Sequence, residues 1–93
     1  MVYIVRCKID TYDHIVTYST NGNLLIDTKV LKRNSEIPES VLKSVKSLYA
    51  GYEIRDARSI EEKGKTIYRI RLTKSREWLY QYFAENGEIV KID

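Results

Sequence analysis

The sequence predicts an α+β domain in which about seven antiparallel strands form one sheet packed on a single helix, with three strands before the helix and the rest after it. Three observations lead there. Residues 37–51 carry apolar side chains at helical spacing, the remainder alternates apolar and polar residues as half-buried strands do, and tight-turn signals separate those runs. With 93 residues the chain has room for one hydrophobic core, so residues 1–93 are expected to form one domain.

The helix organises the rest. Val41, Leu42, Val45, Leu48 and Tyr49 fall at i, i+1, i+4, i+7 and i+8, which is one stripe at 3.6 residues per turn. Glu39, Lys43 and Lys46 take the opposite face. Pro38 suits the first helical position, where its missing N–H costs nothing, and Gly51 suits the left-handed residue that ends a helix. The stripe requires a sheet beneath it, and Leu48 is expected in that core.

The strands follow in order. Tyr3, Val5, Cys7 and Ile9 alternate with Ile4, Arg6, Lys8 and Asp10. A turn near Asp10 and Thr11 leads to residues 12–20, then Asn21-Gly22 supplies the positive φ angles of a tight hairpin before residues 23–31. A polar connection at 32–36 enters the helix. Beyond it come strands at 52–62, 66–73 and 76–84, joined by turns at Lys63-Gly64-Lys65 and Lys74-Ser75, and a last strand after Asn86-Gly87 running to Ile92.

The two Asn-Gly turns stand 65 residues apart, and the same shift superposes Tyr3 on Tyr68, Val5 on Ile70, Arg6 on Arg71 and Tyr18 on Phe83. This pattern reads as an internal repeat. Residues 37–93 form the complete copy, a helix and four strands, and residues 1–31 form a partial copy of three strands.

Ile37-Pro38 opening an amphipathic helix, Tyr49 near its end, the Lys-Gly-Lys turn, the strand Ile67-Tyr68-Arg69-Ile70-Arg71-Leu72, an aromatic-rich strand and Asn86-Gly87 together resemble the bacterial PepSY-like family, whose fold is similar to that of beta-lactamase inhibitor protein. The resemblance implies that fold and an inhibitor-like role, and supplies no catalytic residue. It also implies a periplasmic or secreted mature form. The opening segment alternates and carries charge, unlike an export signal or anchor, so a full-length chain would be cytoplasmic.

With Lys74-Ser75 as a two-residue turn, Arg71 faces Trp78, Arg69 faces Tyr80 and Ile67 faces Tyr82, while Ile70 faces Leu79 and Tyr68 faces Gln81 on the other surface. Arginines are costly beneath a helix, so Tyr68, Ile70, Leu72, Leu79 and Phe83 should take it. By the same parity Tyr3, Val5, Cys7, Val16 and Tyr18 point inward, and Ile4, Arg6, Lys8, Asp13, Ile15 and Thr17 outward. Ile67, Arg69, Arg71, Trp78, Tyr80 and Tyr82 are therefore the candidate partner-binding surface, since aromatics and Arg carry most interface energy. The bland reading is that the arginine stems merely shield the rings. Seven strands at about 4.8 Å span roughly 34 Å, against one helix about 10–12 Å across. The uncovered width favours self-association, so the partner is another protein or a second copy in a homodimer.

The net charge of +3 decides little, but residues 63–76 hold Lys63, Lys65, Arg69, Arg71, Lys74 and Arg76 and no acid. That basic strand-turn segment beside exposed rings makes a nucleic-acid-binding sheet the alternative function. An enzyme is not expected. His14 and Cys7 share an inward parity, yet zinc needs at least three protein ligands and no others accompany them. A packed, hydrogen-bonded histidine is the ordinary reading of His14. The acids Asp10, Asp13, Asp56, Glu61 and Glu62 fit solvated strand ends. No cofactor is expected, because phosphate-cradling glycine motifs and calcium loops are absent. No apolar run approaches the roughly 20 residues that span a bilayer.

Overall fold

The computed structural model describes residues 1–91. It holds six strands, β1 (Val2–Ile9), β2 (Tyr12–Ser19), β3 (Leu24–Val30), β4 (Glu53–Glu62), β5 (Lys65–Lys74) and β6 (Glu77–Ala84), with helix α1 (Glu39–Leu48) between β3 and β4. The strands form one antiparallel meander in chain order, β1 and β6 at its edges. The expected seventh strand is not formed as such. Past Gly87 the described residues form an isolated bridge, Phe83 to Ile89, and the Val90 amide donates to the Tyr82 carbonyl at 2.8 Å. Ile92, its expected end, lies outside the described residues.

Turn chemistry sets the register. Asp10 and Thr11 both adopt positive φ, as do Lys63 and Gly64, which is what a two-residue hairpin twisted like its strands demands. The Asn-Gly turns close identically: the Ser19 amide donates to the Asn23 carbonyl and Gly22 to Ser19, and 65 residues on Ala84 donates to Glu88 and Gly87 to Ala84. Between β5 and β6 the turn is Ser75-Arg76 instead of Lys74-Ser75, with Ser75 at φ +54°. Lys74 consequently pairs with Glu77, so Thr73 faces Trp78, Arg71 faces Tyr80, Arg69 faces Tyr82 and Ile67 faces Ala84. The register differs from the expected one by two residues. Because side chains alternate with period two, every residue keeps its expected face.

That face assignment is seen in the burial. Ile37, Val41 and Val45 pack on Ala57, Ile70, Leu72 and Phe83, with Tyr68, Leu79 and Tyr49 half-buried around them. The buried ridge of the helix is the row Ile37, Val41, Val45, Tyr49, spaced by four. Leu48 lies off that row and is 57% exposed, which corrects its expected place in the core. Pro38 sits just before the first helical residue, its carbonyl accepting from Val41 and Leu42, and Gly51 takes φ +87° past the helix end.

Ser44 donates its hydroxyl to the Gly87 carbonyl at 2.6 Å, and Ser40 donates to Glu85. The second Asn-Gly turn is thereby tied to α1. Among the described residues no side-chain bond joins the first turn to α1, whose buried residues pack on β4, β5 and β6. On β1, Val2, Tyr3, Ile4 and Val5 are accordingly exposed.

Candidate functional site

The face opposite the helix carries the candidate residues. Alternation along β5 and β6 brings Ile67, Arg69, Arg71, Trp78, Tyr80 and Tyr82 onto this one surface. Trp78 is 57% and Tyr80 41% exposed, whereas Ile70 and Leu72, their neighbours on the helix side, are fully buried. Ile67 and Tyr82 are half-buried and continue the patch toward the other end of the strands.

The rings and guanidinium groups are ordered against one another. Trp78 and Tyr80 meet edge to face, centroids 5.6 Å apart at 80°. The Arg69 guanidinium carbon lies 4.6 Å from the Tyr80 centroid, and that of Arg71 lies 5.1 Å from the Trp78 centroid. These are diagonal contacts across the ladder, because long side chains lean along their strands and reach the neighbour two residues from the one opposite. Each is worth about 0.5–1 kcal/mol at an exposed site. The Nε atoms of Arg69 and Arg71 are buried and have no acceptor among the described residues. An unmet buried donor costs about 1–3 kcal/mol, so the stacked geometry is held despite that penalty.

One member of the site was not legible. Asp56, expected at a solvated strand end, stands in mid-strand on the site face, its Oδ2 3.2 Å from Arg58 Nε and 3.9 Å from Arg69 Nη2. A β-bulge at Arg55 puts it there: Ile54 pairs with Leu72 and Asp56 with Arg71, one residue having been added to β4. Before the bulge even-numbered residues face the helix, and after it they face the site. The sequence signal was the alternation Asp56, Arg58, Ile60 against Ala57 and Ser59.

The surface extends beyond the rings. On β1 to β4 it continues through Arg6, Lys8, Ile15, Val30 and Arg58, which line a shallow groove with Asp13. A second groove beside the rings is lined by Arg55, Arg71, Thr73, Arg76, Glu77 and Trp78.

The rival constellation has a structural account. Cys7 pairs directly with His14, and His14 Nδ1 lies 2.7 Å from Asp27 Oδ1, so the buried imidazole has a partner on β3. Among the described residues, no three His, Cys, Asp or Glu side chains are grouped so as to hold a metal ion. Among the same residues no helix is long and apolar enough to cross a membrane.

No protein-family profile matches the chain, and no curated protein matches it in sequence. Solved structures do resemble it. A DUF2874 family protein from Bacteroides uniformis ATCC 8492 superposes with a TM-score of 0.88 at 15% identity, over 97% of this chain and 68% of that one. A DUF2874 family protein from Bacteroides ovatus ATCC 8483 gives 0.86 at 15% identity, over 97% and 67%. A BLIP-like protein from Bacteroides fragilis NCTC 9343 gives 0.84 at 22% identity, over 97% and 65%. The chain thus has the BLIP-like fold and spans about two thirds of the length of these neighbours.

Proposed function

We propose that this chain is a non-catalytic, inhibitor-like protein-binding module of the PepSY-like type, which takes its partner on the sheet face opposite the helix. The observation that carries the reading is the stacked set of Trp78, Tyr80, Arg69 and Arg71, more than 40% exposed at both rings yet already locked in mutual contact. Rings ordered before binding lose little side-chain entropy when a partner arrives, and Trp, Tyr and Arg are the residues from which hot spots are built. The likeness to a BLIP-like protein, together with the resemblance of residues 37–93 to the PepSY-like family, supports an inhibitor-like role. Ile67 and Tyr82 form the rim. The partner is a second protein, a further copy of this chain being the other occupant to test.

Two single variants test it. Trp78→Ala and Arg69→Ala should keep the far-ultraviolet dichroism of the native chain while losing retention of the partner captured from the host. Where solution mass rises with concentration in the native chain, both should abolish that rise. Unchanged association in both variants rejects this face.

A further inference from the structure

We infer that the partner presents carboxylates to this face, so that its docking segment combines acidic side chains with apolar ones; the inference rests on the site just proposed and names its ligand chemistry. The register places Arg6, Lys8, Arg58, Lys65, Arg69 and Arg71 on the outward side of the sheet, against Asp13, Asp56 and Glu62. The surplus of cations is unevenly met. Lys8 and Asp13 pair at 3.9 Å in solvent, and Asp56 serves both Arg58 and Arg69. Among the described residues no carboxylate lies within ion-pair distance of Arg71.

Arg71 is the sharpest case. It is half-buried, opposite Tyr80 and diagonal to Trp78, with a buried Nε that has no acceptor among the described residues. Arg69 has the same orphaned donor, and the one carboxylate near it is shared. A guanidinium is a planar fork of donors that matches a carboxylate at two points, so one incoming Asp or Glu side chain can take the terminal Nη donors of Arg71 while its Nε stays buried. The flanking rings exclude water around that contact and strengthen it. The groove lined by Arg6, Lys8 and Arg58 on the same face extends the same preference away from the rings. A phosphodiester backbone would also answer cations, but Trp78 and Tyr80 stand edge to face and offer no parallel platform for consecutive bases. The geometry therefore favours an acidic polypeptide.

The probe is a random-peptide phage library panned on the immobilised chain, with selected peptides then titrated in solution by calorimetry, a readout that survives removal of Trp78, the only tryptophan. The expected result is a selected set rich in Asp and Glu beside apolar residues, whose affinity falls about tenfold or more with Arg71→Gln and with Trp78→Ala. Arg71→Lys should restore only part of it. All three variants are checked for native dichroism and melting. Peptides without acidic enrichment, or indifferent to Arg71→Gln while still lost with Trp78→Ala, would overturn the carboxylate inference and leave the face standing. Peptides that bind Trp78→Ala as well as the native chain, or no selected peptides at all, would count against the face itself. A single-stranded oligonucleotide that binds more tightly than any selected acidic peptide would assign the surface to nucleic acid and also overturn the inference.

Discussion

Arg71 stacks on Trp78, although the residue opposite Arg71 across the β5–β6 ladder is Tyr80. The same diagonal step carries Arg69 from Tyr82 to Tyr80. Two arginines thus lean one pair along the sheet, toward its Ser75-Arg76 end, and cover the two most exposed rings of the face. This lean makes the patch one unit, so the loss of either arginine should loosen a ring.

The core beneath the helix gives the first prediction. Leu72 is fully buried and Leu48 is 57% exposed. Leu72→Ala should cost about 2–5 kcal/mol in denaturant unfolding, and Leu48→Ala within about 0.5 kcal/mol of nothing. Similar costs for the two would mean that the buried ridge runs through Leu48 after all.

The paired Asn-Gly turns give the second. Gly22 and Gly87 have nearly the same φ, +86° and +90°, but a Cβ on Gly22 meets open space while one on Gly87 would stand 2.5 Å from the Ser40 carbonyl oxygen and 2.8 Å from Ser44 Oγ. Gly22→Ala should cost about 1 kcal/mol, the left-handed penalty alone. Gly87→Ala should cost about 1–3 kcal/mol more, because helix and turn must move apart. Equal melting shifts for the two variants would contradict this docking.

The connection into the helix carries the pH dependence. Tyr12 on β2 donates its hydroxyl to the Glu36 carboxylate, which also accepts from the amides of Lys32 at 2.8 Å and Arg33 at 3.2 Å. The hydroxyl bond first, then those amides, hold the Glu36 carboxyl below its ordinary value, and the same bond raises Tyr12. A lowered carboxyl contributes stability that is present above the ordinary glutamate value and lost as pH falls through the folded one; a raised phenol contributes below the ordinary tyrosine value and loses it as pH rises further. Tyr12→Phe should move the Glu36 titration, followed by carboxyl NMR, upward and flatten the acid limb of the stability profile. An unmoved titration would show that the hydroxyl is not its main partner.

Much of this architecture is legible in the chain, and what is not has physical reasons. The period of two decided the faces, since Arg69 and Arg71 cannot lie under a helix, and a register error of two residues left them in place. The error itself came from a turn with no glycine: nothing in Lys74-Ser75-Arg76 marks which pair turns. The 65-residue correspondence would have marked it, because Asp10-Thr11 maps onto Ser75-Arg76 and the Ile9–Tyr12 pair onto Lys74–Glu77. The bulge at Arg55 changes the parity of β4 without Gly or Pro to announce it, so Asp56 was read as a strand-end acid. Leu48 satisfied the helical stripe, but the sheet takes the row spaced by four with Leu42 partly buried beside it, and Leu48 falls outside both.

The central claim is that a partner seats on the ring-bearing side of the sheet, and the indole of Trp78 reports on it alone. Amide and indole NMR shifts should be recorded as the captured partner is titrated into the labelled chain. The indole signal and the amides of Arg69, Arg71, Tyr80 and Tyr82 should move or broaden together while Val41 and Val45 stay still. Shifts confined to the helix or to β1, with the Trp78 indole unmoved, would contradict the account.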